Sequence, residues 1–210
     1  MFYWKNKNSK RTINNAAVRT IYIVLISAIC FTSCKQQEEK KISYYPLDSL
    51  INSQVVYLRD TKATLIKHAS LDQKTDTTSY IPDSAAWSNE LGILAQLGMI
   101  NKPIYKGLYR VHDGLPDPKS NLKIRYYEGK KDMPVPFLKI YYQETLDHVR
   151  KIEGEYNEEN SLYSSSHVLS IELQDIHNKT VLTSYSIKGS QKMVLADSIE
   201  FNIDARISVN

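Results

Sequence analysis

The segment IEFNIDARISV, residues 199–209, decides the fold class of this chain. Its apolar and polar side chains alternate one by one. The apolar members are Ile199, Phe201, Ile203, Ala205, Ile207 and Val209, and the polar members are Glu200, Asn202, Asp204, Arg206 and Ser208. Successive side chains of a strand point to opposite faces of a sheet, so this alternation predicts a β-strand with one dry and one wet face.

Five upstream segments show the same alternation. Their apolar positions are Leu122, Ile124 and Tyr126; Leu138, Ile140 and Tyr142; Ile152 and Tyr156; Leu169, Ile171 and Leu173; and Val181, Thr183, Tyr185 and Ile187. Turn-forming residues lie between the segments, for example Asp113-Gly114 and Asn178-Lys179. Such short connections predict that consecutive strands pair antiparallel.

The region before Ile104 has helical spacing at two places. An apolar stripe predicts a first helix that begins near Pro46 and ends near Arg59. Lys62–Tyr80 then favours a hairpin of two strands. Asp83 is a good N-cap for a second helix, which carries Trp87 as a core anchor and extends to about residue 101. Together these patterns predict an α+β fold in which two N-terminal helices pack on one large, curved antiparallel β-sheet.

Residues 1–33 have the layout of a secretory signal peptide. Five basic residues and no acid precede an apolar run, Ile21–Phe31. The small residues Thr32 and Ser33 follow this run. A membrane-spanning helix needs roughly 20 apolar residues, and this run is much shorter. We therefore expect residues 1–33 to be removed, residues 34–43 to form a flexible polar tether, and residues 44–210 to form a single domain.

The Ser33–Cys34 junction resembles the lipobox of bacterial lipoproteins. The resemblance implies cleavage between Ser33 and Cys34 and anchoring in the membrane through lipid attached covalently to Cys34. Phe31 departs from the leucine usual at its position, and Cys30 fits less well because it follows the bulky Ile29. The alternative is that Cys34 is an ordinary thiol just past a plain secretory cleavage site.

Charge argues against a nucleic-acid partner. Of the 27 Lys and Arg residues, five lie within residues 1–33, which leaves 22 against 23 Asp and Glu residues and a net charge of about −1. Nucleic-acid binding needs a basic surface that neutralises phosphates. We therefore expect the partner to be the membrane, an apolar ligand or another envelope protein, and not a nucleic acid.

Patterns typical of catalysis are not found in the sequence. It has no Gly-rich phosphate loop and no Gly-x-Ser-x-Gly motif, and its histidines do not form a metal-binding pair. The five histidines are His68, His112, His148, His167 and His177. Ser164-Ser165-Ser166-His167 places hydroxyls near an imidazole, but proximity in sequence is not triad geometry. We predict a protein that is not an enzyme and that has no cofactor, no metal and no catalytic residue.

Tyrosine is the one residue type in excess, since 13 tyrosines but only two phenylalanines follow residue 33. Tyr126-Tyr127 and Tyr141-Tyr142 are adjacent pairs on predicted strands. Each pair should place one ring in the core and one at the surface. Exposed rings can stack on sugars or peptides, and the simpler explanation is the β-propensity of tyrosine.

A wider resemblance extends over most of the chain after Cys34. The residues that carry it are Tyr44, Tyr45, Leu47, Leu50, Trp87, Glu90, Leu91, Ile100, Asn101, Lys102, Pro103, Tyr109, Tyr185 and Ile187. This set is similar to a pattern in Bacteroidota outer-membrane lipoproteins of a group without assigned activity. The resemblance implies an outer-membrane location, on either the periplasmic or the cell-surface side. It leaves two functions open: an accessory protein that binds an apolar ligand or an envelope partner, and a surface module that binds a glycan or peptide through tyrosines.

Overall fold

The computed structural model describes residues 44–72, 74–176 and 179–209. The predicted signal peptide, the predicted tether and His177 lie outside the described residues. The helices are α1 (Leu47–Asp60) and α2 (Ser84–Ala95), and 3-10 turns follow at Gln96–Asn101 and Pro103–Tyr105. The strands are β1 (Thr64–Leu71), β2 (Lys74–Tyr80), β3 (Arg110–Pro116), β4 (Lys123–Glu128), β5 (Phe137–Tyr142), β6 (Val149–Glu159), β7 (Tyr163–Ile176), β8 (Lys179–Met193) and β9 (Ile199–Ser208).

The strands form one nine-stranded sheet in the order β2-β1-β9-β8-β7-β6-β5-β4-β3. Every neighbouring pair is antiparallel. Strands β3 to β9 follow one another as a meander, and the early hairpin β1–β2 adds to its far edge by pairing β1 with β9. The α+β class with a large antiparallel sheet, expected from the sequence, is confirmed.

The two helices begin at the signals that the sequence contains. The side chain of Asp83 accepts a hydrogen bond of 2.8 Å from the backbone N–H of Ala86 and so caps α2. Helix α1 begins one residue after Pro46. The α-helical part of α2 is shorter than expected, because it ends at Ala95 and continues as a 3-10 turn. In that turn Gly98 lies so close to Asp48 that a Cβ there would overlap a carboxylate oxygen.

Gln54 of α1 hydrogen-bonds to the backbone of β8. Its amide nitrogen donates to the carbonyl oxygen of Thr180 over 3.0 Å, and its amide oxygen accepts from the N–H of Leu182 over 2.8 Å. The register between β7 and β8 shifts at this point, and Val181 and Leu182 are both buried. The strict alternation predicted for Val181 and Thr183 is therefore wrong here, because a β-bulge interrupts it.

Two further sequence expectations need correction near the β3 edge. Asp113-Gly114 was expected to be a turn, but it lies inside β3 at a register shift, with Gly114 at φ 74°. In β4 the expected apolar face contained Ile124 and Tyr126. The core face instead holds Tyr127, which pairs with the fully buried Leu138.

Burial divides strands β7, β8 and β9 into two parts. In the covered segment (residues 169–173, 181–187 and 205–207) the apolar side chains belong to one buried cluster with Trp87 and Leu58 from the helices. In the distal segment (residues 163–166, 189–193 and 199–201) all residues except Ser165 are half-buried or exposed. Ile199, predicted to lie on the dry face of β9, is accordingly 39 % exposed.

Candidate functional site

The face of the sheet opposite the buried cluster, here called the open face, carries ordered rows of polar side chains. One row runs across four strands through Ser170, Ser186, Asp204 and His68, which are successive cross-strand partners. The adjacent row contains Glu172, Ser184 and Arg206. Together the two rows line a depression of about 600 Å³, here called the polar depression.

Some polar groups in the depression are already paired and others are not. Ser184 donates a hydrogen bond of 2.9 Å to the Glu172 carboxylate, and Asp204 accepts one of 2.7 Å from the amide of Asn202. His68 Nδ1 lies 2.8 Å from the hydroxyl of Thr77. Within the described part of the chain no salt bridge engages the exposed guanidinium of Arg206. The depression therefore offers a cation next to carboxylate and hydroxyl groups.

The open face also carries a group of rings near the β3 edge. Tyr126 stacks on the imidazole of His112 at a centroid distance of 5.9 Å. The ammonium of Lys139 lies 5.6 Å from the centre of the Tyr126 ring, and that of Lys151 lies 5.6 Å from the centre of the Tyr141 ring. A cation over an aromatic face is a favourable contact, so a lysine side chain lies against each of these rings.

Tyr141 contacts two charged side chains, Glu153 and Lys151. Its hydroxyl donates a hydrogen bond of 2.6 Å to Glu153, and Lys151 contacts the same carboxylate at 2.6 Å. Burial raises the pKa of Tyr141, and Glu153 adds to the effect. Burial also disfavours the charge on Glu153, but the bonds from Lys151 and Tyr141 outweigh it and hold the pKa of Glu153 below its ordinary value.

The prediction that paired tyrosines divide between core and surface is confirmed for both strand pairs. Tyr127 and Tyr142 are buried, whereas Tyr126 and Tyr141 are only half-buried on the open face. Tyr44 is also buried, and its ring meets that of Tyr127 edge to face at 5.4 Å.

His167 has the most unusual environment of the described histidines. Its Nε2 lies 2.6 Å from the hydroxyl of Ser165, and its ring lies between Tyr156 and Phe201 at 5.9 and 5.3 Å. Burial lowers the pKa of His167, which keeps the imidazole neutral. Its buried Nδ1 has no hydrogen-bond partner among the described residues. The pair therefore lacks, in the described chain, the carboxylate that orients the imidazole of a catalytic triad.

The other described histidines make surface contacts. His148 Nδ1 lies 3.7 Å from Asp175, which Arg150 engages at 2.6 Å. His112 Nε2 lies 3.6 Å from Glu128. The described residues contain no group of three or more His, Cys, Asp or Glu side chains that could hold a metal ion.

Sequence analysis did not foresee a half-buried charged cluster on the core side of the sheet. Lys67 on β1 donates to both carboxylate oxygens of Glu90 on α2, over 2.9 and 2.8 Å. The hydroxyl of Tyr185 on β8 donates to the same carboxylate. Burial and the Glu90 carboxylate raise the pKa of Tyr185. The signal in the sequence was Glu90 itself, a charged residue beside the apolar positions of α2.

The predicted cleavage and lipidation residues, Ser33 and Cys34, lie outside the described residues. No helix in the described part of the chain has the length and apolar character needed to cross a membrane. No protein-family model, curated protein or solved structure matches this chain.

Proposed function

We propose that this chain is a lipoprotein of the outer membrane, anchored through lipid on Cys34, that binds a ligand and catalyses no reaction. In this account α1 and α2 lie across one face of a curved sheet and leave the opposite face open to a partner. The anchor is supported by the basic and apolar segments before Ser33 and by the small residue that precedes Cys34.

The polar depression is the proposed binding site, and its exposed cation is the observation that supports it. Arg206 is exposed there without a salt-bridge partner in the described chain, beside the carboxylates of Glu172 and Asp204. Hydrogen bonds from a charged guanidinium are among the stronger polar contacts. A ligand that matches this surface carries both acceptor and donor groups, as an amino-sugar glycan or a peptide segment does.

An apolar ligand has less support than a polar one. It would need an opening between the helices and the sheet. At that interface Leu58, Trp87 and Leu169 are fully buried members of one cluster. Protein interiors of this kind are close-packed. The open face is therefore the better candidate surface, for either a polar ligand or an envelope partner.

The half-buried tyrosines of the open face give a second form of the proposal, in which a sugar stacks on Tyr126 or Tyr141. The lysines against these rings disfavour this form, because a stacked sugar would have to displace Lys139 or Lys151. Both lysines have flexible side chains, so the displacement is feasible at a cost in binding free energy.

A binding titration tests the polar depression. The probe is a soluble muropeptide digest, which contains both amino sugars and short peptides. We expect Arg206→Ala to weaken binding by about tenfold or more, since a hydrogen bond to a charged group contributes about 1.5 kcal/mol or more. Lys188→Ala is the matched control, because Lys188 is an exposed cation on the same face of β8 but outside the depression. Equal loss in both variants, or no binding of the digest, would refute the depression as the site.

Cell fractionation tests the anchor. Cys34→Ala should release the protein from the membrane fraction or leave an uncleaved precursor, because two or more acyl chains give stable attachment. The anchor would be disproved by a Cys34→Ala protein that is still processed and still bound to the membrane. Protease added to intact cells would digest the domain only if it lies on the cell surface. Its digestion would therefore report separately which side of the outer membrane the domain occupies.

A further inference from the structure

Five large apolar side chains are exposed together at the end of the distal segment. They are Leu162, Met193, Val194, Leu195 and Ile199, here called the apolar tip. Leu195 is 98 % exposed and Leu162 is 69 % exposed. The backbone N–H of Val194 donates a hydrogen bond of 3.1 Å to the carbonyl oxygen of Leu162. This bond joins the β6–β7 and β8–β9 connections, so the five residues lie at adjoining turns and strand ends.

Exposed apolar side chains that cluster in this way mark sites of interaction. Single exposed leucines are ordinary, but the tip collects five apolar side chains at two adjoining turns. The tip lies at the end of the two longest strands of the described sheet, with 14 residues in β7 and 15 in β8 against six in β4 and β5. The tip therefore lies at the end of strands that extend beyond the buried cluster.

We propose that the apolar tip inserts into the surface of a lipid bilayer and gives the domain a second membrane contact. This inference rests on the lipid anchor of the proposed function. A tether of ten residues, 34–43, spans at most about 36 Å, and Tyr44 begins the described domain. Strand β7 alone is roughly 46 Å long. The anchor therefore keeps the domain within a distance of the bilayer that is shorter than its longest strands.

The chemistry of the tip fits shallow insertion. Its most exposed members are aliphatic and lie at turns, so they can enter the acyl boundary without bringing an unpaired strand edge with them. Lys192 precedes the turn and Asp197 lies within it, both exposed. The charged groups would stay at the level of the lipid headgroups, where water and phosphate are available. Amphipathic protein segments commonly bury their apolar side by about 5–10 Å at this boundary.

Quenching of tryptophan fluorescence by brominated lipid tests the insertion. The mature acylated protein carrying Leu195→Trp is reconstituted in phosphatidylcholine vesicles whose acyl chains are brominated near the headgroup. Leu195 is almost fully exposed, so the substitution leaves the fold unchanged. Trp87 is fully buried and is the only other tryptophan after residue 33, so the unsubstituted protein gives the background emission. We expect a loss of emission from Leu195→Trp relative to vesicles without bromine.

Val168→Trp is the matched control. Val168 is 48 % exposed on the open face of β7, about 17 Å along the strand from Tyr163. Its emission should be unaffected by brominated lipid. Equal quenching at both positions would overturn the inference, because the bilayer would then lie against the open face. Flotation with vesicles but no quenching at either position would overturn tip insertion and leave the anchor intact. Failure to float with the vesicles would overturn the anchor and the inference together.

Discussion

The covered and distal segments are made from the same three strands, yet they bury their apolar side chains to different extents. Ile187 is 4 % exposed, and Met193, six residues further along the same face of β8, is 49 % exposed. Both segments are paired across β7, β8 and β9, with a bulge at Thr183 in the covered segment. The difference shows that strand pairing alone does not bury side chains. The free energy of folding comes mainly from the covered segment, because its apolar side chains belong to the buried cluster.

The largest expected effect comes from a carboxylate placed in the covered segment. The same substitution in the distal segment is the comparison. Ile187→Asp should prevent folding or lower the free energy of unfolding by several kcal/mol, because an isolated buried charge has no compensating partner. A domain of this kind has only about 5–15 kcal/mol of stability in total. Met193→Asp is the matched variant and should change stability by no more than about 0.5 kcal/mol. Urea unfolding of both proteins makes the comparison, and similar midpoints would refute the division into two segments.

The next effect is the loss of the hydrogen bonds between α1 and β8. Gln54→Met keeps the length of the side chain but leaves the N–H of Leu182 and the carbonyl of Thr180 without partners. A buried unsatisfied group costs about 1–3 kcal/mol, so we expect a loss in that range or somewhat more. Gln191→Met makes the same substitution at an exposed position of the distal segment and should be nearly neutral. Equal melting temperatures for the two variants would show that the Gln54 bonds contribute nothing.

Alkaline pH should lower the stability of the folded domain. Burial and Glu90 raise the pKa of Tyr185 in the folded protein, and burial raises the pKa of Tyr45 to about 12. The unfolded chain releases these protons at about pH 10, so the free energy of unfolding falls as the pH rises above that value. Tyr185→Phe should make the free energy of unfolding less dependent on pH in this range. Urea titrations at several alkaline pH values measure the slope, and an unchanged slope would contradict the assignment.

A smaller effect of opposite sign is expected at His167, at the boundary of the two segments. Burial lowers its pKa when the protein is folded, so the unfolded chain takes up a proton first, near about pH 6.5. Stability should therefore fall as the pH drops below that value, down to the pKa of the folded state. His167→Gln should reduce this acid dependence. If the dependence is the same in both proteins, a different group is responsible.

Local patterns allowed much of the fold to be predicted. The Asp83 cap, the early hairpin, the core position of Trp87 and the antiparallel order of β3 to β9 depend on neighbouring residues, which a sequence displays directly. The pairing of β1 with β9 was not predicted, because it joins residues that are far apart along the chain. The bulge at Thr183 was also missed, since neither it nor the bond from the neighbouring Leu182 to Gln54 on another element has a local sequence signal.

The candidate site was less predictable than the fold. Ser170 and Asp204 each occupy the wet position of a strand, as the alternation implied, whereas no alternation was assigned to the segment that contains His68. Only the register of four strands brings them into one row with Ser186. The apolar tip was missed for a related reason. Of its residues only Ile199 belonged to a predicted apolar pattern, and Ile199 is exposed because it lies outside the buried cluster.

Hydrogen–deuterium exchange along β7 and β8 tests the central claim most directly, since it measures the stability of each segment in the unmodified protein. We expect the amides of residues 169–173 and 181–187 to exchange only through global unfolding. The amides of residues 163–166 and 189–193 should exchange much faster, through local opening of the distal segment. Uniform protection along both strands would contradict the account, because the distal segment would then be as stable as the covered segment.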